Sequence, residues 1–365
     1  MKHQTTRYGE IPFYKIGTFG NTADAFISKK LFLEYKTKYS FPKKGDILIS
    51  ASGTIGRAVI YDGKPAYFQD SNIVWIDNDE TLVKNDFLFY AYSNVKWNTE
   101  HTTILRLYND NFRNTLIPLP PLNEQNAIAN ILSALDRYLY ALDALILKKE
   151  GVKKALSFEL LSQRKRLKGF NQAWQRVRLG DICEFGNGGA YETLIVENGD
   201  FKLISLNSID IDGNLKNTMK RVNFYDNSLK QDDIVMVLSD VAHGDFLGLC
   251  AVIPSNDYVL NQRMGRLRIR NDCINILFLR LYINANQKYF KMQGQGSSQL
   301  NLSKKAIEDF EIPLPPLNEQ IAIANILSAL DNEITSLKNK KRQFENIKKA
   351  LNHDLMSAKI RVLKQ

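Results

Sequence analysis

Apolar and polar positions along this chain follow two rhythms. From Asn123 an apolar stripe recurs every three or four residues for about 38 residues. One seam reads Ile128, Leu135, Leu142, Lys149 and Leu156, and its neighbour reads Leu132, Leu139, Ile146, Lys153 and Leu160. A second stripe starts at Asn318, with seams Ile323, Leu330, Leu337, Phe344, Leu351 and Leu327, Ile334, Lys341, Lys348, Leu355. A seven-residue apolar repeat sustained this long predicts two long helices packed along a coiled-coil seam. Elsewhere the apolar runs are short and bounded by Gly, Asp and Asn, as in "GDILIS" (45–50), "NIVWI" (72–76), "DDIVMVLS" (232–239) and "GRLRIR" (265–270), and these predict strands. Fewer runs read as short helices, notably "DFLFYAYSN" and "NILFLRLYIN". The expected fold class is therefore α+β: globular regions over residues 1–116 and 171–311, separated by long antiparallel helices lying within 117–170 and 312–365.

The stripes belong to an internal duplication. "IPLPPLNEQNAIANILSALD" (117–136) and "IPLPPLNEQIAIANILSALD" (312–331) differ only at Asn126 against Ile321, at an offset of 195 residues. "VKKALSFELLS" (152–162) parallels "IKKALNHDLMS" (347–357) under the same offset, so the repeat spans the whole helix. The prolines of "PLPPL" lack amide donors and have fixed φ, which predicts a stiff extended connector. Asn123 and Asn318 then cap the first open amides, and Glu124 and Glu319 complement the positive end of the helix dipole. Gly151 is the weak point of the first helix, costing roughly 1 kcal/mol against alanine. Two copies of one stripe favour packing on each other over packing separately. Connectivity then requires antiparallel helices of ~57 Å, with the globular regions at opposite ends of a rod and a pseudo-two-fold axis.

Composition narrows the partners. The formal charge of +10 over 365 residues fits a polyanion partner but also an ordinary surface. Cys183, Cys250 and Cys273 lie far apart without a C-x-x-C pair, so neither a zinc site nor a disulfide framework is expected. No apolar window approaches the roughly 18 to 20 residues of a membrane span, and no signal-like core opens the chain. A reduced cytoplasmic setting, without membrane, metal or cofactor, is the expectation.

The identical helices joined to divergent globular regions resemble the DNA-specificity subunit of type I restriction-modification systems. "WQRVRLGDICEFGNGG" (174–189), "GQGSSQLNLS" (294–303) and "GDILISASGTIG" (45–56) are also family-like. The resemblance covers nearly the whole chain. It implies two target-recognition domains, each reading one half of a split sequence in double-stranded DNA. It also implies helices that dock two methyltransferase subunits and, through them, restriction subunits. One departure stands out. Met1 falls opposite Val196, so the first region has no counterpart of the 22 residues Trp174–Ile195, and nothing after Gln365 supplies one. The expectation is a first recognition domain short of its opening strand, or a native start upstream.

Catalytic motifs are weak. The Pro-Pro pairs are flanked by Leu, unlike a methyltransferase turn, and Gly63-Lys64 runs into Pro65 without a phosphate loop. "EYK" (34–36) has the Glu and Lys spacing of some metal-dependent nucleases but is common by chance. "GNGG" (186–189) reads as a turn. His3, His101, His243 and His353 are scattered. The chain is read as a non-catalytic subunit; the alternatives are a nuclease-containing restriction polypeptide and a coiled-coil scaffold that binds only proteins.

Base readout needs side chains with paired hydrogen-bonding groups in loops, while Lys and Arg on phosphates give position and affinity. The candidates are Ser52, Thr54, Arg57, Gln69 and Asn72 in the first region, and Asn207, His243, Asn261, Gln262, Arg263, Ser298 and Gln299 in the second. Lys43, Lys44, Arg266 and Arg268 are phosphate candidates, although the alternating arginines of "GRLRIR" also suit the solvated face of an edge strand. The basic runs 164–168 and 338–342 read as solvated helix faces.

Overall fold

The computed structural model describes residues 4–68, 72–97, 106–241 and 244–362. It divides into two compact units, one of residues 1–145 with 338–365 and one of residues 146–337.

In the unit of residues 146–337 a four-stranded antiparallel sheet runs in the order Cys250–Val252, Ile234–Val237, Met264–Ile269, Cys183–Asn187. Its second strand, "IVMV", is fully buried, and the pleat sends alternate side chains to opposite faces. Ile234 and Met236 join the core built with Phe278, Leu279 and Ile283 of the helix Ile276–Ala285. Val235 and Val237 join a second core with Leu260 and Met264. A smaller sheet pairs Phe201–Ile204 antiparallel with Arg221–Val222 and parallel with Tyr258–Leu260.

The other unit repeats this plan with one strand fewer. Ile47–Ser50 lies between Ala58–Ile60 and Ile73–Trp75; Ile47 and Ile49 face Leu88 and Tyr92 of the helix Asn85–Tyr92, and Leu48 faces Phe19 and Tyr61. Ile11–Tyr14 pairs with Ala25–Ile27 and Tyr67–Phe68. In the second unit the strand Met264–Ile269 has neighbours on both sides; its counterpart Ile73–Trp75 has one among the described residues.

The two long helices span Leu122–Leu161 and Leu317–Met356, 40 residues each, starting one residue before the expected caps. Every position of the two stripes is buried or half-buried, including the lysines at 149, 153, 341 and 348, while the positions between them are mostly exposed. Ion pairs fix the direction within each unit. In the first, Asp136 meets Lys348 and Asp143 meets Lys341 at 2.7 Å; in the second, Lys149 meets Glu333 at 2.8 Å and Lys153 meets Asp331. As one helix number rises the other falls, so the helices are antiparallel. Gly151 has open space where a side chain would stand and leaves the helix unbroken.

The connector departs from its expected form. Glu311–Leu314 is a strand, paired antiparallel with Gln175–Arg178, whereas residues 115–121 carry the same "IPLP" with no ladder among the described residues. Pro313 is tolerated because a two-stranded ribbon leaves one edge free of hydrogen bonds.

Candidate nucleic-acid interface

Ser52–Arg57 forms the turn between the central strand Ile47–Ser50 of the first unit and its neighbour Ala58–Ile60. Gly56 has φ +79 and a Cβ there would stand 2.2 Å from Trp97 Nε1, so only glycine lets the chain pass under that ring. The Ser50 hydroxyl donates to the Thr54 carbonyl and accepts from the Arg57 amide at 3.1 Å, which closes the turn from inside. Ser52 is buried, and its hydroxyl donates to Asn72 Oδ1 at 2.9 Å, so these two candidates hold each other. Arg57 Nη1 donates to the Phe19 carbonyl at 2.9 Å. Thr54, Lys43 and Lys44 are exposed, with Lys43 Nζ 3.5 Å from Asp77. Gln69 lies outside the described residues.

In the second unit Asn261–Arg263 is a tight turn between two strands. Asn261 is fully buried: its Oδ1 accepts from the Tyr191 amide at 3.1 Å and its Nδ2 donates to Glu192 at 2.7 Å. It organises the loop rather than presenting itself to a ligand. Arg263, by contrast, is exposed at φ +67 with no side-chain partner among the described residues, and Gln262 is half-buried. The "GNGG" stretch closes against this turn, Gly188 donating to the Met264 carbonyl and Gly189 to that of Leu260, so its amides are already spent. Asn207 is exposed in the turn Leu206–Ser208. Ser298 is exposed beside Gln299, which opens a strand paired with Ser239–Val241. His243 lies outside the described residues.

Arg266 and Arg268 are committed elsewhere. Arg268 Nε and Nη2 hold both oxygens of Asp233, which is 3 % exposed, at 2.8 and 2.6 Å. Arg266 pairs with Glu184 and donates to the Ser228 carbonyl at 3.1 Å. A phosphate at either would compete with a bidentate or partly buried pair. Of the described candidates, Ser52, Arg57, Asn72, Asn261, Arg266 and Arg268 are held by the protein itself, Gln262 and Gln299 are half-buried, and Thr54, Lys43, Lys44, Asn207, Arg263 and Ser298 face out.

The residues that sequence reasoning missed lie at the helix starts. Glu124 and Glu319, expected only to complement a dipole, are buried. Glu124 receives both Arg361 Nε and Nη2 at 2.6 Å, and that hydrogen-bonded guanidinium holds its carboxyl below the usual glutamate range. Glu319 receives Arg166 Nε at 3.0 Å and Trp174 Nε1 at 3.0 Å. Gln125 accepts from the Lys84 amide at 2.8 Å and donates to the carbonyls of Leu82 and Pro120; Gln320 does the same with Asn275, Cys273 and Pro315. The signal was the repeat itself, since Arg166 and Arg361 share the 195-residue offset of Glu124 and Glu319.

Glu34 and Lys36 sit on the exposed helix Lys29–Lys38, with Lys36 Nζ 5.4 Å from the centre of the Phe41 ring. Among the described residues no cluster of His, Cys, Asp and Glu could hold a metal ion, and no helix is long and apolar enough to cross a membrane. Cys183 and Cys250 are buried, and burial pushes the Cys183 thiol up to about 12, far from a reactive thiolate.

Two polar loop sets of different sequence, each joined to the same helix start with its buried Glu-Gln pair, define a duplicated module. The chain belongs to the family of the type I restriction modification DNA specificity domain, whose profile matches residues 1–149 and 171–346. A putative type I restriction enzyme specificity subunit of Haemophilus influenzae is 65% identical over 133 residues, 36% of this chain and 34% of that one. A type I restriction enzyme specificity subunit of Methanocaldococcus jannaschii is 28% identical over 368 residues, 93% of this chain and 84% of that one. In fold, the type I S subunit from M. genitalium matches with a TM-score of 0.65 and 20% identity, over 98% of this chain and 91% of that one.

Proposed function

We propose that this chain is the non-catalytic subunit that directs a type I restriction-modification complex, in the cytoplasm, to a two-part sequence in double-stranded DNA. The observation that carries the reading is the conjunction of one clamp, built twice, with two outward-facing loop sets of different sequence. A repeated clamp suits a repeated partner: each helix start with its long helix would dock one methyltransferase subunit, and restriction subunits would join through these. Divergent loops suit two different half-sites. Thr54, Lys43 and Lys44 in one unit and Asn207, Arg263 and Ser298 in the other are the side chains free to reach base edges or phosphates.

Co-purification with the cognate methyltransferase subunit, followed by duplex retention across a salt series, tests this. The expected result is a complex of one chain with two methyltransferase subunits whose retention falls steeply with salt. Cleavage of plasmid by the chain alone with Mg²⁺ would favour a nuclease polypeptide, and salt-independent or absent retention would favour a protein scaffold.

A further inference from the structure

Arg263 holds a backbone conformation that its own chemistry disfavours. Its φ of +67 lies in the left-handed region, where a Cβ crowds the following carbonyl oxygen. Among the described residues Gln163, Ala358, Asn227 and Asp232 share that region without being glycine. Gln163 and Ala358 each follow one of the long helices, a common place for such a residue. Asn227 and Asp232 have short polar side chains that tolerate it by bonding locally. Neither reason covers an arginine in a turn between two strands.

The fold imposes the conformation from both sides. The Asn261 amide donates to the Ile204 carbonyl at 3.0 Å and the Gln262 amide to that of Gly189 at 2.6 Å, while the Arg263 carbonyl accepts from the Leu238 amide at 3.0 Å. Asn261 is locked by Tyr191 and Glu192, and Met264 is buried in the sheet. Glycine would keep each of these backbone bonds without strain, so what its substitution would remove is the guanidinium. That group is exposed and has no side-chain partner among the described residues, whereas Arg266 and Arg268, further along the same strand, are each paired with a carboxylate. Leu238, which fixes the Arg263 carbonyl, continues into the strand Ser239–Val241, and the partner strand Gln299–Asn301 follows the exposed Ser298. Arg263 therefore stands at the root of a two-stranded ribbon, a shape that the major groove of DNA admits.

We propose that Arg263 is a specificity-determining residue that reads a guanine in one half of the DNA target, its guanidinium donating to O6 and N7 in the major groove. It has this role only if the chain is the DNA-specificity subunit proposed above. A phosphate contact does not account for the position: it needs a positive charge, which lysine or arginine supplies from an ordinary φ, whereas a bidentate contact needs a fixed direction, which a pinned backbone gives.

The test uses the complex of the full chain with its cognate methyltransferase subunit. N6-methyladenine mapping gives the wild-type motif. Each guanine of that motif is then replaced by 7-deazaguanine, which lacks the N7 acceptor, in duplexes whose binding to the complex is measured. At one guanine the replacement should weaken wild-type binding by about fivefold or more, and change binding to Arg263→Lys and Arg263→Gly by less than about twofold. Arg263→Gly should also leave the thermal midpoint of the chain unchanged or raised, because relief of the positive φ offsets the added freedom of the unfolded chain. A split motif without guanine, a replacement effect of equal size in wild type and Arg263→Lys, or a midpoint lowered by Arg263→Gly overturns the proposal while leaving the DNA-specificity reading in place. A wild-type complex that methylates without a split motif overturns that reading, and the role of Arg263 with it.

Discussion

Gln125 and Gln320 are each at most 1% exposed, yet they are polar, and the repeat explains why they persist. Each amide binds the start of its long helix to the loop just before a short helix of the adjoining fold, Asn85–Tyr92 or Ile276–Ala285. Replacing Gln320 by Leu would leave the Asn275 amide and the Cys273 and Pro315 carbonyls unpaired in the interior, at a cost of about 1–3 kcal/mol. Denaturant unfolding should show a lowered midpoint with an unchanged slope. Glu124 supplies a pH dependence. Because Arg361 depresses its folded value below the ordinary 4.5, the pair's contribution is complete above that value and is lost as pH falls through the lowered one. An acid titration of the wild-type chain should therefore lose stability more steeply below pH 4.5 than Glu124→Gln, and equal slopes would contradict the pairing. At this scale the sequence was half legible. The duplication pointed at these residues, but a Glu at a helix start looks the same exposed or buried, and only its distant arginine decides which.

The helices were legible for a plain reason: a stripe of period 3.5 has one way to be buried. Leu132 is fully buried and Ile131 is 38% exposed, one residue away. Leu132→Ala should cost about 3 kcal/mol and Ile131→Ala under about 0.5 kcal/mol by thermal or chemical unfolding; similar costs would shift the seam off its register. The polar interruptions also gain a reason. Lys153 with Asp331 and Lys348 with Asp136 are the same pair related by the offset. Tyr138 against Phe344, with ring centres 4.7 Å apart, occupies the position that Lys149 with Glu333 occupies in the second unit. Strand runs 45–50 and 232–239 held their cores, since alternate residues feed two apolar clusters. The connector was less legible. "IPLP" forms a ladder in one unit and, among the described residues, none in the other, so its state depends on a distant partner such as Gln175–Arg178, which no local pattern encodes. The loop candidates divided for a similar reason: Asn261 and Arg263 are two residues apart, and the fold turns one inward to brace Tyr191 and the other outward.

At the scale of the whole molecule, the sequence segmentation at 116, 170 and 311 follows composition, whereas the compact units cut through both long helices, because each half-helix packs with its neighbouring fold. If the helices set the separation of the half-sites, a heptad inserted into both would add about 10 Å of rise, roughly three base pairs, to the unread spacer. An unchanged spacer would remove the helices from that role. The most direct measurement is genome-wide mapping of N6-methyladenine in cells expressing this chain with its cognate methyltransferase subunit. The expected result is one split motif, two short specified halves around an unspecified spacer, with a modified adenine in each half. A single continuous motif, or methylation without sequence preference, would contradict it.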